Sequence, residues 1–170
     1  MEQDLFSAIE GMVAEKDVKR LSRLAISEND RAAVDAAITA LVKVGNDEAV
    51  EELISFLSAE DAYLRNEAIE ALQILGTRAF DKVAVLLKRE EPDLRIFALN
   101  VLKEMKELRL RGLIRHVLEV ETDLNVASLA VECLSEVGSG EDVALLEAVA
   151  GRFSDPYMRF AVDAARRRLE

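Results

Sequence analysis

A chain of 170 residues with 51% hydrophobic content can bury the core of one domain or of one short repeat array. Its 33 acidic against 22 basic residues leave a net charge of −11, which disfavours attraction to nucleic-acid phosphates and to anionic lipid. A single Cys and a single His allow no internal disulfide and no protein-only zinc set, so no metal or cofactor is expected.

The chain begins Met1, Glu2, Gln3, Asp4, without the basic start and apolar stretch of a secretion signal, and no run of 18 uncharged apolar residues occurs. A cytoplasmic protein that does not touch a membrane is therefore expected. Residues 1–29 follow the pattern described next only loosely. From Asp30 to Gly45 the sequence aligns without a gap on Asp61 to Gly76, and the frame recurs from Glu91, Asp123 and Asp155.

Each unit opens with an acidic residue. Small or apolar residues follow at spacings of three and four, which turns one stripe of a helix inward. Ala40, Ala71, Val101, Cys133 and Ala165 share one inward position, and Leu41, Leu72, Leu102 and Leu134 share the next. The two prolines, Pro92 and Pro156, stand directly after opening acids, where a helix start needs no amide hydrogen. A second, shorter helix is predicted after the turns at Gly45, Gly76 and Gly138. The frames are 1–29, 30–60, 61–90, 91–122 and 123–154, with a terminal helix over 155–170, all within one domain of stacked hairpins.

The opening acids, the Leu-Arg or Met-Arg pairs at 64–65, 94–95 and 158–159, the Ala-Leu pairs at 40–41 and 71–72, and the turn glycines resemble the HEAT repeat family. The likeness is strongest to the short bacterial and archaeal HEAT-like repeats also found in phycobilisome lyases. Lys106 replaces a turn glycine, and Arg166 replaces a core Leu in the last helix, where a polar face suits an end. The resemblance implies an all-α, right-handed α-α superhelix of about five hairpins plus a terminal helix, with second helices lining the concave face. It also implies a non-catalytic protein-protein interaction module, an adaptor or regulatory scaffold. The alternative is an accessory subunit of a bilin lyase or similar modifying enzyme.

Residues that could carry chemistry have plain structural readings. His116 has no second His or Cys near it and reads as a surface residue, and the His-Glu pairs of iron-binding HEAT-repeat hydroxylases are absent. Cys133 occupies an inward position that other units fill with Ala or Val. Arg65, Arg95 and Arg159 each follow an opening acid by four residues and read as a ladder of exposed ion pairs, each contributing ~0.2 to 1 kcal/mol. With no Gly-rich phosphate loop or nucleophile elbow, catalysis is not expected.

The solvent stripes of the second helices, aligned from Glu48, Glu51, Glu52 and Ser55, together carry +3 on a chain of net −11. This stripe is the expected docking face for an acidic or amphipathic segment of another protein, through Arg78, Lys82, Arg111, Arg115, Leu145 and Ala148. Alternating signs that simply pair between neighbouring second helices are an equal reading. Because the two arginines read as surface residues, replacing Arg111 and Arg115 with Glu is expected to leave folding nearly untouched. Ile96, Phe97 and Phe160 form a secondary patch, which serves inter-unit packing or else self-association or docking.

Overall fold

The computed structural model describes residues 2–27 and 30–170. Met1, Glu28 and Asn29 lie outside the described residues, and with them the frame boundary drawn at residue 29. Among the described residues every regular element is helical. The chain divides into two compact units, Met1–Val83 and Ala84–Glu170.

The first unit contains α1 (Glu2–Glu15), α2 (Val18–Ser27), α3 (Arg31–Val44), α4 (Asp47–Phe56), α5 (Ala62–Leu75) and α6 (Thr77–Ala84, whose last residue falls across the division). Helices α1, α3 and α5 pack side by side, and α2 and α4 pack on one another and on the helix that follows each. Asp30 and Asp61 cap α3 and α5 by accepting from the N–H groups of Ala32 and Tyr63, at 3.1 and 2.9 Å. These opening acids satisfy amides that the first helical turn leaves without partners. Gly45 ends α3 at φ 52°, a left-handed turn that a side chain would strain.

The second unit contains a 3₁₀ turn (Val85–Lys88), α7 (Pro92–Glu104), α8 (Leu110–Val120), α9 (Leu124–Val137), a second 3₁₀ turn (Gly140–Asp142), α10 (Val143–Arg152) and α11 (Pro156–Leu169). Its plan is the same: α7, α9 and α11 pack in series, α8 packs on α9, and α10 packs on α11 and α8. Asp123 and Asp155 cap α9 and α11. Leu41, Leu72, Leu102 and Leu134, the shared inward position, are fully buried. Arg166, in the position of those leucines, instead reaches the carboxylates of Glu147 and Glu170.

Lys106 adopts φ 51° at the turn where the second, third and fifth repeats have Gly45, Gly76 and Gly138, and Lys16 does the same at φ 54° between α1 and α2. The left-handed conformation costs a non-glycine residue about 1 to 2 kcal/mol, while glycine adds about 0.5 to 1 kcal/mol of unfolded-chain entropy to be lost. Lys106→Gly should therefore raise stability by about 0.5 to 1 kcal/mol. Urea unfolding checks this, and a lower midpoint would contradict it.

The second-helix face as candidate functional site

The second helices present charges that the fold has already set against each other. In the first unit, Lys19 binds Glu52 and lies 3.9 Å from Glu48, and Ser22 donates to Glu52 at 2.5 Å. The hydrogen bond with Glu52 raises the Lys19 ammonium above its ordinary range, and the Lys19 bond lowers Glu52. Lys82 on α6 reaches Glu51 on α4 at 2.6 Å. Arg78 is exposed and lies over the turn, so that a methyl group added at Gly45 would meet its Nη1 at 2.6 Å. Opposite signs thus pair between neighbouring second helices.

The second unit holds the most built arrangement. Asp142, fully buried at the end of its 3₁₀ turn, accepts from Arg111 Nε at 2.9 Å, from Arg115 Nη1 and from the Ser139 N–H at 2.9 Å. Arg111 Nη2 also donates to Ser139 Oγ at 2.8 Å and to Glu141 at 3.0 Å. Burial opposes ionisation of Asp142, but the bonds from Arg111, the Ser139 N–H and Arg115 outweigh it and hold the carboxyl below the usual carboxylate range. The turn leading in is tight: a methyl group on Gly138 would stand 2.5 Å from the Leu134 carbonyl oxygen and 2.8 Å from Asp142 Oδ2.

The expectation that folding is indifferent to Arg111 and Arg115 is therefore corrected. Both side chains neutralise a buried carboxylate, and Glu in their places would set like charges against it. Neither arginine is consumed, however: their side chains remain 33% and 38% exposed, and among the described residues Arg115 bonds through Nη1 alone. Leu145 is half-buried and Ala148 exposed on α10, the helix packed beside α8. Sequence reasoning passed over Asp142. The signal was present, because Ser139 followed three residues later by Asp142 is the spacing of a capping box, and both of its reciprocal bonds form.

The arginine ladder is likewise more than a set of exposed pairs. Arg65 Nη1 donates to the carbonyls of Ala59 and Glu60 at 2.7 and 3.0 Å, and Arg95 Nη1 to those of Arg89 and Glu90, both at 2.8 Å. Arg95 also grips Glu121 with Nε and Nη2 at 2.8 and 2.9 Å, both side chains being nearly out of solvent. Burial opposes ionisation of Glu121, yet Arg95 and the N–H groups of Asp123 and Thr122 hold it below the usual range. Arg159 is exposed.

The residues of the secondary patch differ in exposure. Ile96 and Phe97 are half-buried on α7, whereas Phe160 is 66% exposed on α11 and lines a groove of about 360 Å³ with Tyr157, Ala161 and Ala164. His116 is exposed, with Nδ1 3.8 Å from Glu119. Cys133 is buried, and burial pushes its thiol up to about 12. No group of three metal-ligating side chains occurs among the described residues, and no described helix is long and apolar enough to cross a membrane.

Two units of serially packed hairpins, each tied along its second helices by ion pairs, define an all-α helical-repeat protein. The profile of HEAT repeats matches residues 18–89 and 80–166, and the chain belongs to the HEAT repeat family. It is similar to two crystal structures of engineered proteins from the Northeast Structural Genomics Consortium. One is 18% identical, covering 96% of this chain and 83% of that chain at a TM-score of 0.44. The other is 18% identical, covering 96% and 50% at a TM-score of 0.47. No protein with curated annotation matches.

Proposed function

We propose that this chain is a non-catalytic interaction module that binds an acidic, amphipathic segment of another protein on its second-helix face. HEAT repeats generally serve as protein-interaction scaffolds, and the chemistry of this face supports the more particular reading. The observation that carries it is the Arg111–Arg115 pair. Asp142 fixes both guanidinium groups from beneath, so little side-chain freedom is left to lose on binding. Arg115 keeps Nε and Nη2 for a partner carboxylate, and Leu145 and Ala148 offer an apolar strip on α10. In the first unit, Arg78 and Lys82 occupy the matching stripe and give the same chemistry at lower density, since Lys82 is bound to Glu51.

Selection of random peptides on the immobilised protein tests this whatever the natural partner is. The recovered sequences should place Asp or Glu beside apolar residues at helical spacing. Arg115→Gln, which leaves Arg111 on Asp142, should weaken them by roughly tenfold or more while the protein still melts cooperatively. Peptides without acidic residues, or equal binding by Arg115→Gln, would contradict the proposal.

A further inference from the structure

A second surface lies on the first helices and is independent of the one above. Between α1 and α3 runs an open groove of about 450 Å³, lined by Phe6, Val13, Ala32 and Ala36 and carrying Glu10, Asp35 and Lys43, a net charge of one negative. Phe6 is 53% exposed. The next groove of the same unit, between α3 and α5, is bridged instead. Tyr63 donates its hydroxyl to Asp35 at 2.5 Å, with the Arg31 guanidinium 4.8 Å from its ring centre. In the repeat frame Ala32 holds the position of Tyr63, so the α1–α3 groove lacks the aromatic side chain that fills its neighbour.

That missing chemistry is displayed at α11. Tyr157 holds the same frame position as Tyr63, and Phe160 follows one turn later, each 66% exposed. The cations of α11 are all arginines, and Arg159 and Arg168 make no side-chain bond among the described residues. Exposed aromatics together with arginines are the composition of binding hot spots. The charges complement as well, since residues 1–83 hold 17 acidic side chains against 9 basic ones. An aromatic, arginine-bearing helix and a net-acidic groove wanting an aromatic are two halves of a heterologous contact.

We infer that the α1–α3 groove receives α11 of a second copy of this chain, with Tyr157 and Phe160 in the groove and the arginines toward Glu10 and the acidic surface around it. One helix in one groove buries less than the ~1,200 Å² of a stable interface, so association is weak, with a Kd of roughly 10 to 1,000 µM, and is weakened further by salt.

Sedimentation velocity across that concentration range, on the full chain and on two variants, tests the contact. Tyr157→Ser/Phe160→Ser removes the inserted side chains, and Ala36→Lys crowds the groove and cancels its net negative charge; Tyr157 and Phe160 are exposed and Ala36 half-buried, and circular dichroism verifies the folds. The wild-type average mass should climb from 18.8 kDa to at least about twice that value. Each variant alone should stay monomeric. An equimolar mixture should recover a 1:1 dimer and nothing larger, because one variant keeps the groove and the other keeps the helix. A wild type that stays monomeric throughout, a variant that assembles like wild type, or a mixture that does not pair would each overturn the inference.

Discussion

Replacing Arg95 with Met should lower the stability of the 84–170 unit by about 3 to 5 kcal/mol, the cost of leaving a buried carboxylate without its cation. Glu121 is 6% exposed and Arg95 12%, so water cannot take over the role of the guanidinium as it would at the surface. The N–H groups of Thr122 and Asp123 still bond Glu121, which favours the lower end of the range. The variant also releases the Arg89 and Glu90 carbonyls, loosening the entry to α7. Urea unfolding with hydrogen exchange should show the change concentrated in residues 84–170. In a repeat array each hairpin is stabilised chiefly by its neighbours, so the loss spreads only partly beyond that unit. A loss below about 1 kcal/mol would place the pair among ordinary surface ion pairs.

Asp142→Ala should cost about 2 to 4 kcal/mol. It removes the acceptor of the Ser139 N–H inside a tight turn, an orphaned-donor penalty of about 1 to 3 kcal/mol, and the anchor of two arginines. The figure stays below that for Arg95 because Arg111 and Arg115 are a third exposed and can turn to water. Acid should act on both sites in the same direction. Asp142 and Glu121 have folded-state values held below their ordinary ones, so their contribution is complete above the ordinary carboxylate range near pH 4. It is then lost as pH falls through the depressed folded values. Glu67 works the other way: burial and the nearby Asp35 and Glu70 raise it, so its small penalty disappears as it protonates. Wild type should therefore lose stability below about pH 4, and Asp142→Ala should lose less over the same interval. Parallel acid curves for the two proteins would contradict the assignment to Asp142.

The fold was legible where a local rule and the repeat agreed. Capping acids, N-terminal prolines and the Leu41, Leu72, Leu102 and Leu134 column each follow from backbone chemistry and the 3.6-residue period, which depend on no distant partner. The second-helix face was legible as a stripe of charge but not as a set of bonds. Spacing places Arg111 and Arg115 on one side of α8, yet their shared ligand comes from a different hairpin through a 3₁₀ turn whose rise the stripe alignment cannot supply. Glu121 was hidden for a similar reason. It lies two residues before an opening acid, in a loop position that Ala59 fills two repeats earlier, so no periodicity marks it as the buried partner of Arg95. Exposure of Phe160, as against the half-buried Ile96 and Phe97, depends on α11 having α9 on one flank, which a frame drawn on sequence treats as equivalent to any other helix.

On the proposed function, the second-helix face around Arg111 and Arg115 receives an acidic segment. Amide chemical-shift mapping on isotopically labelled protein, titrated with an acidic amphipathic peptide recovered by selection, tests it most directly. Saturable shifts should centre on residues 110–116 and 141–149, with the Arg111 and Arg115 guanidinium signals moving in step. Shifts centred instead on the α1–α3 groove or on α11, with the α8–α10 signals unmoved, would contradict it.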